Sequence, residues 1–184
     1  MTQAILEAEH HEVLKRPLSP LIQGCLEVLE QGVEFLDSIN QTEYTTIVSS
    51  HFTSSIGEHF RHWLDLFHAV MEADDHIDYN LRRRGHPVES NLAIAQTEIM
   101  ELMQRINVIK PERLCRPVTV TAEVTLSKTD SVDVNSTFER ELSFAALHAT
   151  HHYAMSKVIA SLLNVKTSAG FGVAPATATY RRGQ

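Results

Sequence analysis

The sequence has few cysteines, a deficit of basic residues and no long hydrophobic run. Its two cysteines, Cys25 and Cys115, form no CxxC pair, which argues against a zinc ribbon and favours a reducing compartment. Because 16 Lys and Arg face 23 Asp and Glu, the net charge is −7, the wrong sign for a dedicated nucleic-acid binder. No apolar stretch reaches the roughly 18 residues that a membrane span needs, and residues 1–17 lack the apolar core of a signal peptide. We therefore expect a cytoplasmic protein that binds neither nucleic acid nor a membrane.

The composition is otherwise that of a globular domain that is rich in histidine. Hydrophobic residues make up 43% and charged residues 21% of the 184 positions, both close to globular averages. A chain of this length can bury a full core without disulfides, so we expect residues 1–184 to form a single domain. The 11 histidines are the unusual feature, and they direct attention to metal binding.

Hydrophobic periodicity predicts four helices, at 18–38, 55–79, 89–108 and 136–164. Capping boxes mark two of the starts, Ser55 with Glu58 and Ser136 with Glu139. Alternating β-branched and polar residues predict a β-hairpin at 116–134, and the tail at 165–184 is expected to be irregular. The predicted fold class is all-α, a four-helix bundle spanning about 18–164 with a β-hairpin inserted before the last helix.

The last predicted helix carries two histidines on its buried face. His148 and His152 are four residues apart, which places them one above the other, about 6 Å apart, in the apolar stripe that contains Ala145 and Ile159. Burying two imidazoles is costly unless their nitrogens find partners, and one metal ion would satisfy both. The alternative is that both rings only pack and hydrogen-bond in a metal-free core. His151, on an adjacent face, is either a hydrogen-bonding neighbour or solvated.

The second predicted helix supplies a further pair, His59 and His62, three residues apart. One or both of them would complete a site of three protein ligands that keeps a coordination position free. Helical periodicity by itself favours His59, because it lies closer to the centre of the apolar face. The HExxH, GxSxG and GxxxxGK[ST] motifs and the Glu-x-x-His pairs of di-iron bundles are absent, so these competing chemistries have no support.

Two motifs resemble the DinB/YfiT-like superfamily of metal-dependent helical proteins. Ser55-Ile56 followed by His62 is similar to that family's opening of the second helix, and His148-x-x-His151-His152 is similar to its signature on the last helix. The resemblance implies an up-down-down-up bundle in which His62, His148 and His152 hold one divalent ion, often nickel or zinc. On this alignment His59 becomes a supporting or alternative ligand. The resemblance also implies homodimers, and the broad apolar faces of the helices favour the same assembly.

Three functions are compatible with these patterns. The first is a metal-dependent enzyme acting on a small molecule, either a transferase that uses a low-molecular-weight thiol, as the resemblance suggests, or a hydrolase. In it, Arg82, Arg83 and Arg84 could hold the carboxylates of the thiol cofactor, or they could simply be a solvated helix end. The second is a non-catalytic, stress-related metal-binding module, and the third is a metal-free bundle. No catalytic residue is indicated beyond the metal ligands.

Overall fold

The computed structural model describes residues 19–184, so the predicted helix start at Leu18 and the expectation about residues 1–17 lie outside the described residues. Within that range there are seven α-helices: α1 (Pro20–Asp37), α2 (Gln41–Thr45), α3 (Ile56–Glu72), α4 (Leu92–Asn107), α5 (Pro111–Leu114), α6 (Phe138–Leu162) and α7 (Pro175–Arg182). A 3₁₀ turn covers Pro87–Glu89, and the three strands are β1 (His76–Asp78), β2 (Pro117–Glu123) and β3 (Ser131–Thr137). No helix in the described range has the length and apolar character needed to cross a bilayer.

The strands form one mixed sheet in the order β1-β2-β3. β2 and β3 pair antiparallel, which confirms the predicted hairpin, with Val120 opposite Val134. β1 pairs parallel with β2, with Ile77 opposite Val120. The prediction of an all-α, up-down-down-up four-helix bundle is therefore wrong, because residues 19–184 form a mixed α/β fold that is mostly helical.

One part of the error in fold class comes from a short segment. The second helix is predicted to continue to Tyr79, but it ends at Glu72, and Ala73 is already extended. Residues His76–Asp78 then become a strand because β2, about 40 residues later, supplies their backbone partners. Three residues are too few to show the alternation of a strand, so no local sequence pattern predicts this one.

Two of the predicted helix starts can be compared with the observed caps. Ser55 is the N-cap of α3 and forms both hydrogen bonds of a capping box with Glu58. The capping box predicted at Ser136 is wrong: Ser136 lies in β3, and its hydroxyl group donates to Glu141. Thr137 is the N-cap of α6 instead, accepting from the backbone of Arg140.

The long helices enclose an aromatic core. α3 packs against α6, and α1 packs against both α4 and α6. Phe171, from the segment after α6, lies between Phe35 and Tyr153, with ring centroids 4.2 Å and 5.0 Å away. Trp63 and Phe60 of α3 lie 5.5 Å and 5.7 Å from the same tyrosine. This packing sets α3 and α6 side by side and brings their histidines together.

The C-terminal tail is more ordered than the prediction of an irregular segment at 165–184. Phe171 is 2% exposed, and the last turns form α7. Gly172 has φ +70°, and a Cβ there would lie 2.6 Å from the backbone nitrogen of Ala154, so only glycine fits. Lys157 donates to the carbonyl oxygens of Ser168, Ala169 and Phe171. The tail is held by these backbone contacts, which composition does not show.

Candidate metal centre

Three histidines converge where α3 packs against α6. The Nε2 atom of His148 lies 3.0 Å from Nε2 of His62 and 3.0 Å from Nε2 of His152. His62 projects from α3 and the other two from successive turns of α6. All three side chains are half-buried, and their ligand atoms lie within 4.8 Å of one another. Together they form a group that could hold a metal ion.

The protein's own hydrogen bonds do not satisfy this group. A neutral imidazole nitrogen carries either one proton or one lone pair, so His148 Nε2 can pair with only one of its two neighbours. Imidazole nitrogens bind divalent ions at ~2.0–2.1 Å, so a single ion can contact several nitrogens that lie about 3 Å apart. One cation facing three lone pairs would therefore resolve all the short contacts at once. The donor set fits a divalent metal ion.

The surroundings keep these rings neutral. Burial, followed by the charges of Arg82 and His148, lowers the pKa of His62 to about 4. Burial, followed by the neighbouring histidines, lowers the pKa of His152 to about 2. Burial is also the main cause that lowers the pKa of His148 and of His59. At neutral pH the rings hold lone pairs rather than positive charge, which is the state that a metal ligand requires.

His59 lies behind the three-histidine group rather than within it. Its Nδ1 is 2.9 Å from Nδ1 of His152, on the side of that ring opposite Nε2. Its own Nε2 is buried and has no hydrogen-bond partner among residues 19–184, and Phe52 meets the ring edge-on. His59 can therefore orient His152 by hydrogen bonding, as residues behind metal-bound histidines commonly do. His151 is exposed on α6, with its ring centroid 6.2 Å from that of His148.

The three consecutive arginines have three different environments. Arg83 is bound by carboxylates: its Nε is 2.6 Å from Asp65, and its Nη2 is 2.6 Å from Glu98. Arg84 is exposed. Arg82 is half-buried, and its Nη1 lies 3.4 Å from Nδ1 of His62. Only Arg82 is therefore in contact with the histidine group, and Arg83 is an anchor of the loop.

Sequence reasoning missed two features beside the site. One is the buried Asp65, 3% exposed, which pairs with Arg61 as well as Arg83 and ties the loop to α3. The spacing of Arg61 and Asp65, four residues apart, was an available signal for this pair. The other is Phe144, one turn before His148, whose ring centroid lies 5.5 Å from that of His148. Phe144 gives the histidine group an apolar border.

Comparisons with known proteins do not place the chain in a family. No protein-family model matches it, and no solved structure matches it. A curated relative, FK506-binding protein 5 from Rhizopus delemar, is 30% identical over 108 residues. The match covers 59% of this chain, and the chain spans 28% of that protein's length.

These findings overturn the resemblance to the DinB/YfiT-like superfamily. The curated relative that matches is an FK506-binding protein, and no family model supports the assignment to the DinB/YfiT-like superfamily. The assembly, the activity and the ligand set that the resemblance implied lose that support. The grouping of His62, His148 and His152 does not depend on it, because it rests on the distances between their nitrogens.

Proposed function

We propose that this protein is a metal-dependent enzyme whose divalent ion is held by His62, His148 and His152. The observation that carries the proposal is the convergence of three neutral imidazole nitrogens, two of them 3.0 Å from the third, from two packed helices. Imidazole ligands suit zinc and nickel, which are our candidates for the ion. Three protein ligands leave room for a further ligand, as in catalytic rather than structural sites.

A divalent ion in such a site lowers the pKa of a bound water or thiol. The reaction classes compatible with the site are therefore hydrolysis of a small molecule and transfer to a low-molecular-weight thiol. Only the resemblance pointed to a thiol-dependent transferase, and the histidine geometry by itself supports both classes equally. The chain's own residues contribute orientation and an apolar border: His59 lies within hydrogen-bond distance of His152, and Phe144 packs beside His148.

A non-catalytic, stress-related metal-binding module is the second candidate. It is favoured by the position of the group between α3 and α6, where an ion would join two core helices and raise stability by mass action. Exogenous azide separates the two functions. A cobalt-substituted site with a free position changes its visible spectrum when azide is added, whereas a closed structural site does not.

Elemental analysis of tag-free protein tests the shared premise. We expect about one zinc or nickel ion per chain in the wild type, retention in the exposed control His151→Gln, and loss in His148→Gln, because the ion loses one of three ligands. Full metal content in His148→Gln would contradict the site.

We further propose that the protein works in the cytoplasm as a homodimer with a small-molecule substrate. The exposed apolar residues on α6, such as Leu147 and Val158, support the dimer.

A further inference from the structure

Arg82 differs from Arg61 and Arg83 in having no acidic partner among residues 19–184. Arg61 and Arg83 form ion pairs with Asp65, Glu89 and Glu98, with closest distances of 2.6–3.1 Å. Arg82 is half-buried, yet no carboxylate of residues 19–184 lies within ion-pair distance of it. Both oxygens of the nearby Asp65 are already engaged by the other two arginines. A partly desolvated guanidinium without an anion is costly, so its position beside the histidines calls for an explanation.

The loop that carries Arg82 is firmly held. The backbone nitrogen and the side chain of Arg83 both donate to Asp65, and the same side chain reaches Glu98. The backbone of Gly85 donates to Glu89. Because the next residue is tied down at three points, Arg82 is kept against the histidine group without an ion pair of its own.

Metal binding would remove the only polar contact that Arg82 has to the site. In the structure, the guanidinium lies 3.4 Å from Nδ1 of His62 and can donate to it only if that nitrogen has a lone pair. A ring that binds metal through Nε2 carries its proton on Nδ1, which then donates rather than accepts. The guanidinium would thereby be released while remaining beside His62.

We propose that Arg82 binds the anionic group of a small ligand that enters this centre, so that the substrate or co-substrate carries a carboxylate a few atoms from its metal-binding group. This inference rests on the proposed metal centre. Arg82 supplies charge and two parallel N–H donors, which match a carboxylate, and the bordering Phe144 suits a short apolar segment between the two ends of the ligand. Neutral molecules of the same size would lack this contact.

The test compares two thiols that differ in charge. Cobalt-loaded protein is titrated with mercaptoacetate and with neutral 2-mercaptoethanol, and binding is followed by the visible cobalt spectrum. The wild type should bind mercaptoacetate with a clear advantage. In Arg82→Gln that advantage should fall by about tenfold or more, the worth of a charge-assisted hydrogen bond, without loss of cobalt. Comparing the same two thiols across variants cancels the difference in their own acidity.

Two further variants complete the design. Arg84→Gln removes an exposed arginine two residues away and should keep the wild-type advantage. Arg82→Lys keeps the positive charge and should retain part of the advantage of mercaptoacetate. This variant guards against misreading a folding defect in Arg82→Gln. An unchanged advantage in Arg82→Gln, or none in the wild type, overturns the role of Arg82 and leaves the metal centre standing. A wild type that holds no cobalt overturns the metal centre and this inference with it.

Discussion

The metal-free protein should lose stability as the pH falls from 6.5 to 4.5, because its buried histidines resist protonation. The ordinary histidine pKa is 6.5, whereas folding lowers that of His62 to about 4 and that of His152 to about 2. Below pH 6.5 the unfolded chain therefore binds protons at these histidines that the folded chain does not bind, and unfolding becomes more favourable. Above pH 6.5 both states keep these rings neutral, and the full stability is present.

The size of the effect follows from the number of excluded protons. One fully excluded proton costs about 1.4 kcal/mol per pH unit, so two would give a slope of about 2.7 kcal/mol per unit. Both rings are only partly buried and are screened by solvent, so we expect about half of that slope. The loss between pH 6.5 and 4.5 is then about 2–3 kcal/mol. Glu98, whose pKa is lowered to about 2, contributes only below its ordinary value of 4.5 and stays outside this window.

The assay is urea unfolding followed by circular dichroism at several pH values, with EDTA present to keep the protein metal-free. His152→Gln should reduce the slope, since one excluded proton is gone. His151→Gln, at the exposed neighbouring position, should leave it nearly unchanged. A wild-type free energy of unfolding that stays flat across this window, or a slope equally steep in His152→Gln, would refute the reasoning.

Three further predictions concern the third ligand, the tail and the assembly. His62→Ala should lose the metal, whereas His59→Ala should weaken metal binding by ~10–100-fold, as loss of a supporting hydrogen bond does. Titration with Zn²⁺ measures the affinity of both variants. The reverse order of effects would make His59 the ligand. Phe171→Ala should lower the free energy of unfolding by about 3–5 kcal/mol, because it empties the space between two stacked rings. A loss below ~1 kcal/mol, measured by urea unfolding, would show that the tail is not part of the core. Light scattering should give twice the chain mass of 20.7 kDa. Leu147→Glu, on the exposed face of α6, should shift the mass toward that of one chain. A wild-type monomer at micromolar concentration would contradict the dimer.

Local patterns were sufficient for the elements whose stability is local. The periodicity of α1, α3, α4 and α6 is visible in the sequence because one face of each helix must be apolar. The cap at Ser55 is equally local, since its partner Glu58 lies three residues away. The spacing of His148 and His152 placed both on one face of a helix for the same reason. These features depend on neighbours within about one helical turn, and sequence reasoning can reach them.

The tertiary structure decided whatever depends on distant partners. β1 is a strand because β2 pairs with it, which changed the fold class from all-α to mixed α/β. Phe171 is a core residue because two aromatic rings, one of them from α1, receive it. Arg82 and Arg83 are identical in sequence terms, yet only one has carboxylates within reach. Likewise, His62 rather than His59 lies with His148 and His152 because of how α3 packs against α6, which the sequence of one helix does not determine.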